Sequence, residues 1–335
     1  MRDEATALRL ELGARDASPA GLAVTARFAE QHGYDGVQAA ETQHDPLIGC
    51  AVAGAASTGI RLSTAIAVAF ARSPMSLAVT ANDVQLATGG RFALGLGSQV
   101  KAHIEKRFSM PWSAPAPRMR EFIGAVRAIW RSWETGEKLS FEGEHYRHTL
   151  MTPFFSPGPN PHGNPPIWLA AVGPAMTALA GEAADGFVAH AFTTRDYLAE
   201  VSLPRLERGA RSAGRETPEV VLQPFVIAGA DEASRAKQEE SVRAQIAFYG
   251  STPAYRGVLE HHGWESVADS LHAASRRGEW AEMSALVTDE MLAAFAVSGT
   301  PDETRGLLQE RFGGLADTVC VNAPATPEEL AAIAA

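Results

Sequence analysis

Cysteine is scarce. Only Cys50 and Cys320 occur in 335 residues, too few and too far apart to frame a disulfide scaffold. That usage suits a reducing compartment, and a soluble, cytoplasmic protein is expected. Long apolar runs are missing too. No strictly apolar stretch is longer than Ala65 to Ala71, which falls well short of the ~20 residues that cross a bilayer. The start, Met1-Arg2-Asp3-Glu4, carries acids and lacks the apolar stretch of a signal peptide. Positive charge is in deficit, 29 Lys and Arg against 39 Asp and Glu for a net −10, which argues against nucleic acid or an anionic membrane as partner. No repeat marks a solenoid, and no Ser-His-Asp or Cys-His order sits in a nucleophile-elbow context. His145 with His148, and His261 with His262, lack converging acids or cysteines, so no metal is expected. With 46% hydrophobic and 20% charged residues, the balance is that of an ordinary globular chain with a full core.

Short apolar strands alternate with amphipathic helices along the chain. Leu8-Arg9-Leu10-Glu11-Leu12 has the period of a strand. Ser18-Pro19 then supplies an N-cap and a first-turn proline, and Gly33 a stop. Further strands are predicted over 36–40, 62–69, 91–96, 167–171, 186–189, 220–227 and 318–322. Helices are predicted within 47–57 and over 73–87, 117–133, 174–184, 195–212 and 300–312. The rhythm pauses at 134–166, a proline- and glycine-rich excursion, and at 231–294, a mainly helical insertion rich in Ala, Glu and Arg. Eight βα units predict one domain over 1–335, an α/β fold closed as a single (β/α)8 TIM barrel with helical insertions. Chemistry then belongs where strands end: Glu41 to Pro46, Ala65 to Ala71, Gly95 to Lys101, Val172 to Met176 and His190 to Phe192.

These segments resemble the luciferase-like monooxygenase superfamily, TIM barrels that use flavin or deazaflavin coenzyme F420. Leu62-Ser63-Thr64-Ala65-Ile66-Ala67-Val68 with Ala71-Arg72-Ser73-Pro74 is similar to the family's third strand and the helix after it. Gly89-Gly90-Arg91-Phe92-Ala93-Leu94-Gly95-Leu96-Gly97 is similar to its fourth strand. Pro165 to Ala171 with Ala183-Ala184-Asp185-Gly186 resembles its fifth-to-sixth unit. Glu41-Thr42-Gln43-His44-Asp45-Pro46 points toward the branch of F420-dependent oxidoreductases.

The resemblance implies site residues. A non-proline cis peptide is implied at Ala65–Ile66, supporting the cofactor ring. Gly97, Ser98 and Gln99 are implied near its chain and phosphate. The glycine pair does not complete G-x-G-x-x-G, because position 100 is valine. Val172, Gly173, Pro174, Ala175 and Met176 open a helix whose free amides suit a phosphate, with Thr177 able to add a hydroxyl. Where some members use arginine after the fourth strand, this chain has Ser98, leaving charge neutralisation to Lys101, Arg107 or Arg118. The basic stretch from Lys101 to Trp112 would draw an anionic cofactor to the mouth. Luciferase-type relatives carry Glu-His-His-Phe where this chain has Glu41-Thr42-Gln43-His44. Thr42 is expected at the ring. Glu41 and His44 are the catalytic candidates, Glu41 equally readable as an anchor. His190 is a further candidate, more often structural than catalytic.

The leading expectation is hydride transfer between F420 and a small organic substrate. Alternatives are a monooxygenase using reduced FMN and oxygen, and a cofactor-binding barrel without turnover. A homo-oligomer is expected from the resemblance and from the apolar helix within 47–57.

Overall fold

The alternating strands and helices close into a ring in the computed structural model, which describes residues 7–323 and 325–335. The acidic start at Met1 to Glu4 lies outside the described residues. The ring strands are β1 (Arg9–Gly13), β2 (Gly36–Ala39), β3 (Arg61–Thr64, resumed at Ala67–Val68), β4 (Phe92–Gly97), β5 (Ile167–Ala171), β6 (Gly186–Ala189), β7 (Glu219–Leu222) and β8 (Thr318–Val321). All pair in parallel with their neighbours, and β8 returns to β1 with Val319 opposite Leu10. The predicted (β/α)8 TIM barrel is therefore what the chain forms. Among the described residues no helix is long and apolar enough to cross a membrane, and Cys50 and Cys320 are buried free thiols.

Strand parity divides the interior. Leu10, Leu12, Val37, Leu62, Leu94, Phe187, Leu222 and Val319 join the core shared with the outer helices. The alternate positions, Ala93, Trp168, Val188 and Val221, form a separate cluster inside the ring. Recurrent helix starts seat this outer layer. Ser18, Asp45 and Ser73 each accept from first-turn amides immediately before a proline, and such a cap contributes about 1 kcal/mol.

Two predicted strands are divided in the structure. The third is interrupted at Ala65–Ile66 and passes into a 3-10 turn, Ala69–Ala71. The stretch 220–227 splits at Gln223-Pro224, since proline has no N–H to continue a ladder. Beyond it Phe225–Ala228 leaves the barrel and pairs with Ala296–Gly299 in a parallel ribbon. Between these two strands lie Glu232–Gly250, Arg256–His261, Glu265–Arg277 and Asp289–Phe295, the helical insertion expected there. Their apolar faces gather around Phe192, Ile246, Leu271 and Phe295. The 134–166 excursion holds a short hairpin, Phe141–Glu142 against Arg147–His148.

Candidate active site at the barrel mouth

The strands all end on one face, and there the insertion folds back over the barrel. Between them lies a cavity of about 270 Å³. Gln38, Ala65, His190, Gln223 and Asn322 line it from the strand ends, and Tyr249 from the helix Glu232–Gly250. Of the sequence-derived cofactor and catalytic residues, Ala65 and the further candidate His190 line this cavity; the others belong to neighbouring strand ends and loops.

Beneath the cavity the barrel interior holds a polar column beside the apolar cluster of Ala93, Trp168, Val188 and Val221. Glu11 is fully buried. Its Oε1 accepts from Arg61 Nε at 2.6 Å, and its Oε2 from Gln38 Nε2 at 2.7 Å. Gln38 Oε1 in turn accepts from Gln223 Nε2 at 2.7 Å. Away from the mouth, Arg61 Nη1 donates to Glu219 at 2.9 Å and its guanidinium lies 4.5 Å from the Trp168 ring centroid. Burial pushes the Glu11 carboxyl above its ordinary value, while Arg61 and the Gln38 amide oppose that shift. Each carboxylate oxygen faces an N–H donor, which is the setting of an ionised group. Sequence reading passed over Glu11, Gln38 and Gln223. The signal was present in Leu10-Glu11-Leu12, where parity turns the lone acid of an apolar strand inward.

His190 follows β6 and enters an aromatic box, with ring centroids 4.6 Å from Tyr249 and 4.8 Å from Tyr255. Its Nδ1 accepts from the Phe192 amide at 3.0 Å, and its Nε2 lies 3.3 Å from the Tyr255 hydroxyl. The Nδ1 bond fixes the neutral tautomer with the proton on Nε2. Burial lowers its pKa to about 4, so the ring is neutral near pH 7.

At the end of β2, Glu41 Oε2 accepts from Val68 N at 2.7 Å and from Arg72 Nη1 at 2.6 Å. Arg72 also donates to Asp45 at 3.0 Å, the residue that caps the following helix. Glu41 is thus held as an anchor between two loops. Thr42 and His44 are exposed. The Thr42 carbonyl accepts from Arg107, which ties this loop to the helix Lys101–Lys106.

The Ala65–Ile66 peptide is cis, at the position the resemblance implies. Two glycines make room beside it. A Cβ on Gly95 would sit 1.8 Å from the Thr64 carbonyl oxygen, and one on Gly97 2.8 Å from the Ile66 side chain. Gln99 takes a left-handed φ of 59° and turns its Oε1 to the Val100 amide at 2.9 Å, while Ser98 Oγ donates to the Gln99 carbonyl at 3.2 Å. Both side chains therefore spend part of their hydrogen-bonding capacity within the turn.

The helix Pro174–Ala183 starts at Gly173 with no capping side chain, and a Cβ on Gly173 would meet nothing within 4 Å. Its first-turn amides are open, as a phosphate site requires. Thr177 does not add a hydroxyl, because its Oγ1 donates to the Gly173 carbonyl at 3.0 Å. Arg118 is buried, bonded to Tyr146 and Pro111 and lying 4.3 Å from the Phe70 ring centroid. It is occupied there, so of the three cations named from the sequence Lys101 and Arg107 are the exposed ones, with Lys106 exposed beside them.

One grouping departs from the sequence reading of the histidines. Ligand atoms of Glu121, Glu144 and His145 lie within 4.8 Å of one another. The Glu121 carboxylate already accepts from the amides of Glu144, His145 and Tyr146, so it clamps the hairpin to its helix.

Comparison with known proteins bears on this geometry. A family profile described as luciferase-like monooxygenase matches residues 5–318. The chain belongs to that family. An uncharacterized protein of Mycobacterium tuberculosis is 50% identical over 292 residues, covering 87% of this chain and 86% of its own. The 5,10-methylenetetrahydromethanopterin reductase of Methanolobus tindarius is 28% identical over 317 residues, covering 93% of each. The solved coenzyme F420-dependent tetrahydromethanopterin reductase of Methanopyrus kandleri superposes with a TM-score of 0.78 at 22% identity, covering 98% of this chain and 97% of its own. As a luciferase-like family member, the chain is an oxidoreductase.

Proposed function

We propose that this oxidoreductase moves a hydride between coenzyme F420 and a small organic substrate at the barrel mouth. One observation carries the reading: an uncapped helix N-terminus, fit for an anion, opens on the same face as a polar cavity bordered by Ala65. The similarity to F420-named reductases supports it. The backbone N–H groups of Gly173, Ala175 and Met176 would hold the cofactor phosphate, together with the Ser98–Gln99 turn. Ala65 and Ile66 would pack against the ring, with Thr42 at its edge and Gly97 giving close approach. When bound, the deazaflavin supplies or accepts the hydride. The chain's own part is to bind, to orient and to exclude water. Glu41 serves as a positioning residue through Arg72, and His44 exchanges the proton with solvent at the rim. The chain also self-associates on this reading, through the helix Pro46–Ala56 whose Ile48 and Val52 stand exposed.

Titration of the purified protein with F420 and with FMN, each oxidised and reduced, with oxygen uptake followed, tests the reading. Binding of F420 without oxygen consumption is expected. Binding of reduced FMN alone with oxygen uptake would replace it with a monooxygenase. Cofactor binding without oxidation or reduction of any offered substrate would leave a binding barrel.

A further inference from the structure

The net charge of the chain is −10, yet among the described residues no lysine, arginine, aspartate or glutamate lines the mouth cavity. Its two titratable side chains are held neutral, because burial lowers the His190 pKa and raises that of Tyr249. A charged substrate entering here would lose water and gain no counter-charge, which is costly. Amides remain, and one has its direction set from below.

An ionised carboxylate only accepts hydrogen bonds. With Oε1 of Glu11 taken by Arg61, Oε2 faces Gln38 and draws in that residue's NH2 group. Gln38 must then present its oxygen to Gln223, and Gln223 must answer with its own NH2 group. Each step forces the next. Gln223 Oε1 is left as an acceptor with no protein donor among the described residues, on a side chain that lines the cavity.

We infer that the cavity selects an uncharged substrate bearing a hydroxyl or N–H group, which donates to Gln223 Oε1, with Glu11 and Gln38 as positioning residues. The inference rests on the mouth being the reaction site, and it names the substrate class for that site. Carboxylates and phosphate esters are excluded as the group placed in this cavity, and neutral molecules that only accept hydrogen bonds bind less well.

Three six-membered probes separate these cases: cyclohexanol, cyclohexanone and cyclohexanecarboxylate, followed by saturation-transfer NMR on the full chain at pH 7. Cyclohexanol is expected to bind best and the carboxylate to give no signal. Gln223→Met should weaken cyclohexanol about tenfold, the worth of one hydrogen bond, and leave cyclohexanone unchanged. Glu11→Gln frees the Gln38 amide to turn, so cyclohexanone should rise to the level of cyclohexanol. Should that variant unfold by circular dichroism, Gln38→Met keeps the Glu11–Arg61 pair and is expected to show the same loss of preference. A carboxylate signal equal to that of the alcohol, no signal from cyclohexanol, or an intact alcohol preference in Gln223→Met would overturn the inference. An F420 titration on the same samples keeps the two readings apart. The predicted probe pattern without F420 binding sinks only the proposed cofactor, and F420 binding without probe preference sinks only the substrate class.

Discussion

Arg72 reaches back from the turn after β3 to Glu41 at the end of β2, with 2.6 Å between Nη1 and Oε2. The same carboxylate oxygen takes the amide of Val68, a fully buried residue. Two consecutive βα loops are thereby fixed to each other beside the cavity rim. Removing the carboxylate strands a buried N–H and leaves Arg72 only its contacts to Asp45 and the Val68 carbonyl. Glu41→Ala is expected to cost about 2–3 kcal/mol in urea denaturation, and Glu41→Gln, which keeps an acceptor, about 1 kcal/mol. Equal denaturation midpoints for Glu41→Ala and the parent would refute the anchoring role.

Two glycines on the mouth should respond in opposite ways. Gly173 has φ −81° and empty space where a side chain would go, so Gly173→Leu should fold normally. Its bulk would cover the open amides and weaken F420 binding about tenfold or more, the worth of at least one charge-assisted hydrogen bond. Gly95 allows no Cβ, because Thr64 backbone stands in the way. Gly95→Ala should lower the melting temperature whatever ligand is present. Unchanged F420 affinity in folded Gly173→Leu would place the phosphate elsewhere.

The ring of strands was legible because each strand is short, mostly apolar and separated from the next by a helix, several of them capped. Ser18-Pro19 and Ser73-Pro74 mark such starts without any tertiary knowledge. The division at Gln223-Pro224 was less legible, since Val220 to Ile227 reads as one apolar run until the proline's missing N–H is weighed. The site was legible only in part. Its loops follow from barrel geometry, but the column from Glu219 through Arg61 and Glu11 to Gln38 joins residues far apart in the chain, and nothing local predicts such pairing. His190 was visible as a histidine at a strand end. Its neutral state depends on Tyr249 and Tyr255 from the insertion, which no local pattern brings to it.

That burial makes His190 a pH-dependent liability. Its folded pKa of about 4 lies below the ordinary value near 6.5, so the unfolded chain takes up a proton that the folded chain refuses. Stability from this group is fully present above about pH 6.5, falls as pH drops through the window, and levels off near 4. His190→Phe, a ring of similar shape in the same aromatic box, should flatten that part of the stability profile. In NMR the His190 ring should titrate near pH 4. A midpoint near 6.5 would contradict the burial argument.

The proton step is the last test, and it turns on His44. Glu41 Oε2 already serves two donors, Thr42 has no useful acid or base near neutral pH, and His190 stays neutral. His44 is the titratable side chain of the β2 loop that remains exposed, where it can exchange protons with solvent. Loss of a general acid costs about 10²–10⁴-fold in rate. An exposed imidazole can be bypassed by water, so His44→Ala is expected at the low end, about 10²-fold in kcat, with F420 affinity unchanged. Full turnover in His44→Ala would remove the residue from the proton path.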